Sequence, residues 1–340
     1  MNTKLTLGLT QFITHSLTNW SGYVFRDLPW KHNATPYTIW ISEVILQQTQ
    51  VKQGTPYFLQ FLVRFPSVSS LATAPEADVL KQWEGLGYYS RARNLHAAAK
   101  LIMEKHQGVF PTNYNDIRAL PGIGAYTAAA IASFAYNQPY AVLDGNVYRV
   151  LSRVLGLETP INTPKAEKEF TALAQQLLLQ ADSPSQWNQT IMDFGALQCK
   201  PASPLCPECP LAQVCYANQH NAQSGLPIKA KNLPKKQRFL DFFWIETQEK
   251  IYLERRTGQD IWKGLYQLPS IECPSDTATT YALPALGTFK QILSHQVIHG
   301  TIYKGQPSAL TLSNYQLVEI NNLSTYPFPL PLKKFLETRL

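Results

Sequence analysis

The sequence predicts a multidomain protein with a helical N-terminal part and a smaller α+β C-terminal domain. Up to about residue 220, segments such as NLHAAAKLIMEKH carry helix formers with apolar residues three and four positions apart. From Phe239 the pattern changes to short aromatic and β-branched runs such as FLDFFWIET, which are typical of strands. Between them, residues 229–238 hold five basic residues and no acidic one. They are either a solvated connector or a segment that lies along phosphate groups.

Length and composition restrict the class of protein. A chain of 340 residues can form two or three domains, each with its own core. Hydrophobic residues make up 45% of it and aromatic residues 11%, which argues against a disordered chain. The net charge of +7 suits a polyanionic partner, although charge alone is weak evidence. No apolar stretch approaches the ~20 residues that span a bilayer, and the first residues lack a signal-peptide pattern, so we expect a cytoplasmic protein.

Four of the five cysteines are clustered and indicate a metal centre. Cys199, Cys206, Cys209 and Cys215 follow the pattern C-x6-C-x2-C-x5-C. In a reducing compartment such a cluster predicts metal ligation rather than disulfides. Spacing alone leaves an iron–sulfur cluster and zinc both open, because only one short C-x2-C knuckle is present. Cys273 stands apart and is expected to be a small buried hydrophobic residue.

The segment LPGIGAYTAAAIASF, residues 120–134, predicts a helix–hairpin–helix. Pro121 stops the preceding helix, while Gly122 and Gly124 permit a tight turn with exposed backbone amides. Such a turn directs amides and a positive helix end toward a DNA phosphate. The alternative is a plain turn between two helices. The small apolar residues that follow the PGIG sequence favour the DNA interpretation.

Asp144 precedes an apolar helical face in VLDGNVYRVLSRVL. Val147, Val150, Leu151 and Val154 form that face at helical spacing. Aspartate is a favoured helix N-cap, so a purely structural role is the simplest interpretation. A capping role and a catalytic role are compatible with each other.

Glu43 lies in the nearly continuous apolar run TIWISEVILQQTQV. A helix that is apolar all round is buried, and a carboxylate there is costly unless it is paired or protonated. A buried Glu43 would have a raised pKa, which suits a general acid. The alternative is that Glu43 lies on a narrow solvated stripe of the helix.

These features occur together, and in one order, in the MutY branch of the endonuclease III superfamily, which the chain resembles over nearly its whole length. The most specific matches are WISEVILQQTQV, WEGLGYYSRARNL, LPGIGAYTAAAI, LDGNVYRVLSR, WNQTIMDFGALQC and the cysteine spacing. The resemblance implies a monofunctional adenine DNA glycosylase of base excision repair. Its partner would be duplex DNA with adenine opposite 8-oxoguanine or guanine, in the cytoplasm at the nucleoid. We expect a monomer, since nothing in the sequence demands an oligomer.

The same resemblance implies a domain organisation and a cofactor. A helical barrel with the hairpin would span residues 28–135, and residues 1–27 and 136–220 would form a cluster domain. Residues 221–238 would be a linker and residues 239–340 a Nudix-like domain. The four clustered cysteines would hold one structural [4Fe–4S] cluster that supports DNA binding. ERRTGQDIWKGLYQLP resembles part of the Nudix fold, but the acidic metal-binding helix of Nudix hydrolases is not evident, so we expect recognition rather than pyrophosphate hydrolysis.

The resemblance also implies catalytic roles. The target base is flipped out of the duplex, because it cannot be reached inside the stack. Glu43 matches the family acid that protonates adenine at N7. Asp144 matches the carboxylate that stabilises the oxocarbenium-like sugar and forms a transient covalent bond before hydrolysis with retention. Tyr126 and Asn146 match positions that support this site.

Further residues match substrate-binding positions of the family, while helix termini and core packing are the alternative roles. Lys31 stands where arginine is common in the family. Leu293 replaces a phenylalanine before Ser294, the candidate reader of 8-oxoguanine. The matching positions are Arg26, Leu28, Trp30, Lys31 and Gln189 for the adenine pocket, Gln48, Thr49, Leu86 and Tyr88 around the mispaired base, and Ser294 and His295 in the C-terminal domain.

Two other functions compete with this prediction. An endonuclease III-like bifunctional glycosylase needs an amine nucleophile for a Schiff base, and its lysine lies where Tyr126 stands here. A catalytically inactive DNA-binding protein would have no need of Glu43 and Asp144. These residues favour the monofunctional adenine glycosylase.

Overall fold

The computed structural model describes most of the chain, namely residues 5–24, 26–231, 234–274 and 281–339. Outside the described residues lie 1–4 and 25 of the predicted cluster domain, 232–233 of the predicted linker, and 275–280 and 340 of the predicted Nudix-like domain. Within the described ranges no helix is both long and apolar enough to cross a membrane.

The chain packs as two compact units. The first unit comprises Met1–Leu62 and Leu101–Lys231, and the second comprises Val63–Lys100 and Asn232–Leu340. This division differs from the predicted domains, because Val63–Lys100 lies inside the predicted barrel but packs with the C-terminal residues. The four-part division therefore stays a prediction.

Helices dominate the first 220 residues, as predicted. Their bounds are α1 (Leu7–Ser21), α2 (Pro29–His32), α3 (Pro36–Leu46), α4 (Val51–Arg64), α5 (Val68–Thr73), α6 (Glu76–Gln82), α7 (Ser90–His106), α8 (Tyr114–Arg118), α9 (Ala125–Tyr136), α10 (Gly145–Leu155), α11 (Pro164–Leu178), α12 (Pro184–Leu197), α13 (Tyr216–Gln219) and, near the C-terminus, α14 (Leu330–Glu337).

Side-chain caps explain where several of these helices begin. Before α3, the Thr35 hydroxyl accepts from the Thr38 amide at 3.1 Å, and the Thr38 hydroxyl accepts from the Thr35 amide at 2.9 Å. Thr163 caps α11 and Ser183 caps α12. In each case a proline follows the cap and occupies the first helical position, where its missing N–H costs nothing.

The core of the first unit is built around α10. The predicted apolar face of Val147, Val150, Leu151 and Val154 is buried, as expected from its spacing. It belongs to a cluster that also contains side chains of α1, α11 and α12, namely Ile13, Leu17, Phe170, Leu177, Trp187, Ile191 and Phe194. This packing holds the first turn of α10, and hence Asp144, in a defined place.

The predicted hairpin lies between α8 and α9. Gly122 has φ +76°, a left-handed conformation that glycine adopts without steric cost. Gly124 is extended and precedes α9 as its N-cap. A Cβ added at Gly124 would meet no described atom within 4 Å, so the amide end of α9 is open to a ligand.

The second unit contains the predicted strands in two small sheets. Their bounds are β1 (Lys236–Trp244), β2 (Glu246–Thr247), β3 (Lys250–Arg255), β4 (Tyr266–Gln267), β5 (Ser270–Cys273), β6 (Ala285–Ile292), β7 (Gln296–Lys304) and β8 (Gln316–Glu319). One sheet has the order β5-β1-β7-β6 with β1 and β7 parallel, and in the other β3 pairs with β2, β4 and β8. The α+β prediction is confirmed, although β1 already begins at Lys236, inside the predicted linker.

Candidate active site

A large cleft in the first unit contains most of the predicted site residues. Its volume is about 990 Å³, and side chains of α3, α9, α10 and α12 line it. The predicted residues in its lining are Arg26, Leu28, Trp30, Lys31, Glu43, Gln48, Thr49, Tyr126, Asp144, Asn146 and Gln189. Gly122 and Gly124 are not among the lining residues, and Leu86, Tyr88, Ser294 and His295 belong to the second unit.

Glu43 is a buried carboxyl group with one strong hydrogen-bond partner. Only 7% of the residue is exposed, because α3 is buried on all its faces from Tyr37 to Ile45. The Tyr126 hydroxyl donates to Glu43 Oε2 at 2.6 Å. Burial raises the pKa of Glu43 from 4.5 to about 7; the Tyr126 hydrogen bond opposes this shift and the nearby Asp144 carboxylate adds to it. Near neutral pH this group can therefore hold a proton and release it.

Asp144 caps α10 and also faces the cleft, so both predicted roles are structurally compatible. Its Oδ1 accepts from the Val147 amide at 2.8 Å, and its Oδ2 accepts from Asn146 Nδ2 at 2.7 Å. Burial raises the pKa of Asp144, and these hydrogen bonds together with the Arg149 charge act in the opposite direction. The donors orient both carboxylate oxygens and favour the ionised form.

Arg149, which the sequence analysis missed, holds Asn146 in place. Its Nη2 donates to Asn146 Oδ1 at 2.8 Å and to the Gly195 carbonyl at 2.6 Å, and its Nε donates to the Cys199 carbonyl at 2.8 Å. Asn146 therefore presents its amide nitrogen to Asp144 rather than its oxygen. The available signal was an arginine three residues after Asn146, on a helix whose buried residues are mostly apolar.

Asp193 is a second residue that the sequence analysis missed, and it forms an ion pair with Lys31. This buried carboxylate on α12 accepts from Lys31 Nζ at 2.7 Å and lies 3.5 Å from Arg26 Nη1. Two cations of the predicted adenine pocket thus share one anion, which lowers the net positive charge of the cleft. The acid was visible in the WNQTIMDFGALQC motif, but its partners lie far away along the chain, at least 162 residues before it.

The four clustered cysteines lie around one small cavity in the first unit. Cys199, Cys206, Cys209 and Cys215 all line it, and all are free thiols. Burial raises the pKa of Cys209 to about 11, with the nearby thiol groups adding to the shift. Within the described part of the chain, no group of three or more His, Cys, Asp or Glu side chains is arranged to hold a metal ion.

Donors beside the sulfur atoms suit a site for ionised thiolates. Arg153 Nη1 lies 3.5 Å from Cys199 Sγ, and Gln223 Nε2 lies 3.9 Å from Cys206 Sγ. The buried Arg153 guanidinium also donates to the backbone carbonyls of Lys200 and Gln223. Hydrogen bonds and positive charge of this kind stabilise thiolate ligands.

Comparisons with known proteins agree with this architecture. Residues 41–176 match the HhH-GPD superfamily base excision DNA repair proteins, and residues 242–338 match the NUDIX domain. The adenine DNA glycosylase of Buchnera aphidicola subsp. Schizaphis graminum (strain Sg) is 35% identical over 92% of this chain and 94% of its own length. The adenine DNA glycosylase of Homo sapiens is 40% identical over 62% of this chain and 40% of its own.

Solved structures share the helical fold. The structure of a thermostable thymine-DNA glycosylase superposes with a TM-score of 0.57 and 27% identity, covering 62% of this chain and 97% of that one. An endonuclease III in a non-covalent DNA complex superposes with a TM-score of 0.55 at 20% identity, covering 65% of this chain and 100% of that one, which shows the fold alone.

The chain belongs to the adenine DNA glycosylase family. It is therefore a DNA glycosylase of base excision repair, with a helical HhH-GPD core and a C-terminal Nudix-like domain that contains strands. The resemblance inferred from the sequence motifs is confirmed.

Two of the predicted DNA-contacting residues of this adenine DNA glycosylase have unusual backbone conformations. Gln48 has φ +58° and Tyr88 has φ +48°, which place two non-glycine residues in the left-handed region. Such conformations cost about 1–3 kcal/mol and persist where the surrounding structure enforces them, often at functional sites. Leu86, by contrast, is buried, so of the two residues in that turn Tyr88 is the one exposed to a ligand.

The remaining predicted residues of the adenine DNA glycosylase lie at the connection between β6 and β7. Ser294 and His295 are exposed there, with Ser294 Oγ 3.2 Å from His295 Nδ1. The Leu293 amide donates to the Gln296 carbonyl at 2.8 Å and closes the turn. Cys273 departs from its prediction, because it is only half-buried and its thiol donates to Asp241 at 3.0 Å.

Proposed function

We propose that this protein hydrolyses the N-glycosidic bond of adenine mispaired with 8-oxoguanine or guanine in duplex DNA, without cleaving the strand. The observation that carries the proposal is a pair of differently tuned carboxyl groups in one cleft. Glu43 is buried, bonded to Tyr126 and titrates near neutrality, while Asp144 accepts two oriented hydrogen bonds. A proton-donating carboxyl group and a second carboxylate in one cleft are what glycosidic cleavage with retention requires.

The adenine enters the cleft as a flipped base. A base inside the duplex cannot reach a buried residue such as Glu43, which is 7% exposed, so the nucleotide must leave the stack. Leu28 and Trp30 offer apolar surface for the ring, and Gln189 offers an amide for its polar edge. Arg26 and Lys31 remain held by Asp193, so these three side chains together contribute a single net positive charge.

Glu43 supplies the proton for the leaving base. Its carboxyl proton passes to adenine N7 while the bond between C1′ and N9 breaks and its electron pair goes to the base. Tyr126 holds the carboxyl group through one oxygen and so directs the other oxygen. A general acid with a pKa near the working pH is both populated and able to give up its proton.

Asp144 stabilises the positive charge that develops on the sugar. One carboxylate oxygen then forms a bond to C1′, giving a covalent intermediate. A water molecule attacks C1′, its proton passes to the Glu43 carboxylate, and the electron pair of the C1′–O bond returns to Asp144. Two displacements at the same carbon retain its configuration.

Contacts outside the cleft would position the DNA. The open amide end of α9, at Gly122 and Gly124, suits a backbone phosphate. Around the base opposite adenine we assign contacts to Gln48, Thr49, Tyr88, Ser294 and His295, whereas Leu86, which was predicted with them, is buried. The monomeric state and the cytoplasmic, nucleoid-associated location stay predictions.

A single-turnover assay tests the proposed function. Duplexes that contain adenine opposite 8-oxoguanine, adenine opposite guanine, or thymine glycol are incubated with excess protein, and base loss and strand cleavage are scored separately. We expect adenine loss from the first two duplexes and an intact abasic strand until alkali is added, because Tyr126 offers no amine. Efficient borohydride trapping at the rate of base loss would instead indicate a Schiff-base lyase.

For the cofactor, we propose that the four clustered cysteines hold one [4Fe–4S] cluster. Thiolates are the ligands of such clusters, and the four thiols with the donors of Arg153 and Gln223 beside them form a donor set that suits that group. When bound, the cluster would link the chain around Cys199 to the start of α13. It would take no part in base removal.

The metal content is therefore a prediction of its own. Protein purified without oxygen should be yellow-brown and contain about four irons per chain. Cys206→Ser should lose iron and soluble protein together, whereas Cys273→Ser, in the second unit, should keep its full iron content. Stoichiometric zinc without iron in the wild-type protein would overturn the cluster assignment.

Lesion preference is expected to depend on Ser294. 8-Oxoguanine carries an N7–H donor that guanine lacks, and a serine hydroxyl can accept from it. One neutral hydrogen bond is worth roughly 0.5–1.5 kcal/mol, so Ser294→Ala should reduce the preference for 8-oxoguanine over guanine by about two- to twelvefold. The ratio of single-turnover rates and affinities for the two mispairs measures it. Ser308→Ala, at an exposed serine elsewhere in the same unit, is the control, and an unchanged ratio in Ser294→Ala would remove the assignment.

A further inference from the structure

A buried carboxylate joins the helical and the C-terminal parts of the second unit. The side chain of Glu84, just after α6, is only 3% exposed. Its Oε1 accepts from the Phe328 amide at 2.9 Å, and its Oε2 accepts from Lys81 Nζ at 3.0 Å and Lys333 Nζ at 2.8 Å. Lys333 lies on α14, so Glu84 binds two separate places of the C-terminal domain.

Other contacts also join residues 63–100 to the C-terminal residues. Lys81 Nζ also donates to the Tyr326 carbonyl at 3.0 Å, and Arg93 Nη1 donates to the Lys263 carbonyl at 2.7 Å. Gly264 has φ +86°, and a Cβ there would lie 2.8 Å from Leu80 Cδ1, so the backbone approaches α6 closely. The C-terminal domain is thus held to Val63–Lys100 by specific polar bonds and close packing.

Glu84 also belongs to the turn that carries Tyr88. We call residues 83–89, WEGLGYY, the wedge turn. Inside it, Trp83 Nε1 donates to the Gly87 carbonyl at 3.1 Å, and the Gly85 amide donates to the Tyr89 hydroxyl at 3.3 Å. The Tyr89 hydroxyl in turn donates to the Phe328 carbonyl at 3.4 Å. Bonds to the C-terminal domain therefore flank the exposed, left-handed Tyr88 on both sides.

We propose that Glu84 is a positioning residue that locks the wedge turn to the C-terminal domain, so that Tyr88 and Ser294 meet the base opposite adenine as parts of one unit. This inference rests on the proposed function, which assigns both residues to that base. Tyr88 and Ser294 lose less conformational entropy on binding DNA if they are already held in one unit than if they move independently. We therefore expect the contacts of Glu84 to raise the preference for 8-oxoguanine over guanine. The close pairing of one buried carboxylate with two ammonium groups and a backbone amide makes Glu84 the centre of the lock.

The test uses full-length variants and two measurements. Glu84→Ala removes every bond of the carboxylate, and Glu84→Gln keeps an acceptor for the Phe328 amide. Lys333→Met weakens the same lock from α14, away from the wedge turn. Glu76→Gln is the matched control, because the Glu76–Arg255 ion pair joins the same two parts but is about 40–45% exposed and such pairs contribute little.

Hydrogen exchange and mispair preference are then compared. In Glu84→Ala we expect exchange of the Phe328 amide to rise at least about tenfold and the 8-oxoguanine-to-guanine ratio of single-turnover rates to fall at least about fivefold. Adenine removal opposite guanine should persist. Glu84→Gln and Lys333→Met should change both quantities in the same direction but less, and Glu76→Gln should change neither.

The outcomes separate the inference from the proposed function. Unchanged exchange in Glu84→Ala would overturn the lock. Faster exchange with an unchanged ratio would overturn its link to lesion preference. A wild-type protein that removes no adenine would overturn the proposed function, while the exchange data would still report on the lock.

Discussion

Asp144→Asn is expected to reduce single-turnover adenine removal by at least about 10²–10³-fold, the typical loss when one electrostatic stabiliser of a transition state is removed. The substitution keeps the shape of the side chain but removes the negative charge and the nucleophile. Asparagine is also a good N-cap, so α10 should still begin at the same residue. Duplex binding should therefore remain close to that of the wild-type protein, and the loss should lie in the chemical step.

A cap that is unrelated to the cleft provides the control. Thr163 accepts from the Ala166 amide at 3.3 Å and does not line the cleft. Thr163→Ala should cost about 1 kcal/mol of stability yet leave base removal near normal. If Thr163→Ala and Asp144→Asn lost activity equally, Asp144 would be a structural cap only. Rapid base removal by Asp144→Asn would contradict its assigned role directly.

Glu43→Gln is expected to slow base removal by about 10²–10⁴-fold, the usual contribution of a general acid. The amide keeps an acceptor for the Tyr126 hydroxyl but holds no transferable proton. In the wild-type protein the rate should fall as the pH rises through about 7, where Glu43 loses its proton. Glu43→Gln should lack that part of the pH profile. Glu167→Gln, the same substitution at an exposed residue in the first turn of α11, should keep the wild-type profile.

The raised pKa of Glu43 favours catalysis but is predicted to lower the stability of the folded protein. The pKa of Glu43 is about 7 in the folded protein and 4.5 in the reference state. The unfolded chain therefore releases this proton more easily, and burial of Glu43 destabilises the fold increasingly as the pH rises from about 4.5 to about 7. The cost amounts to roughly 3 kcal/mol above that range. Glu43→Gln should be more stable than the wild type at pH 8, with little difference at pH 4.

Calorimetric or chemical unfolding at both pH values measures this difference. A higher midpoint of unfolding together with lost activity would identify Glu43 as a residue kept for function at the expense of stability. Equal midpoints at pH 8, or an activity profile that does not change near pH 7, would contradict a buried titrating acid at this position.

Local sequence patterns correctly predicted the helical first part of the chain, the later strands, the burial of Glu43 and the capping position of Asp144. The apolar spacing of Val147, Val150 and Val154 defined the buried face of α10, because a helix repeats its faces every three to four residues. The apolar surroundings of Glu43 implied its burial for the same reason. The PGIG sequence predicted the turn at Gly122, because its positive φ favours glycine. All of these features depend on residues close together along the chain.

The partners of these groups and the true packing units depend on residues that are distant in sequence. Asp193 meets Lys31, Arg149 meets the Cys199 carbonyl, and Glu84 meets Phe328, with up to 244 residues between partners. The grouping of Val63–Lys100 with the C-terminal domain has the same origin. The burial of a side chain and the helical face on which it lies follow from its neighbours in the sequence. Its hydrogen-bond partner depends on how the helices and strands pack. A buried polar group is costly without a partner, and the partner is whichever polar group the tertiary structure places within hydrogen-bond distance.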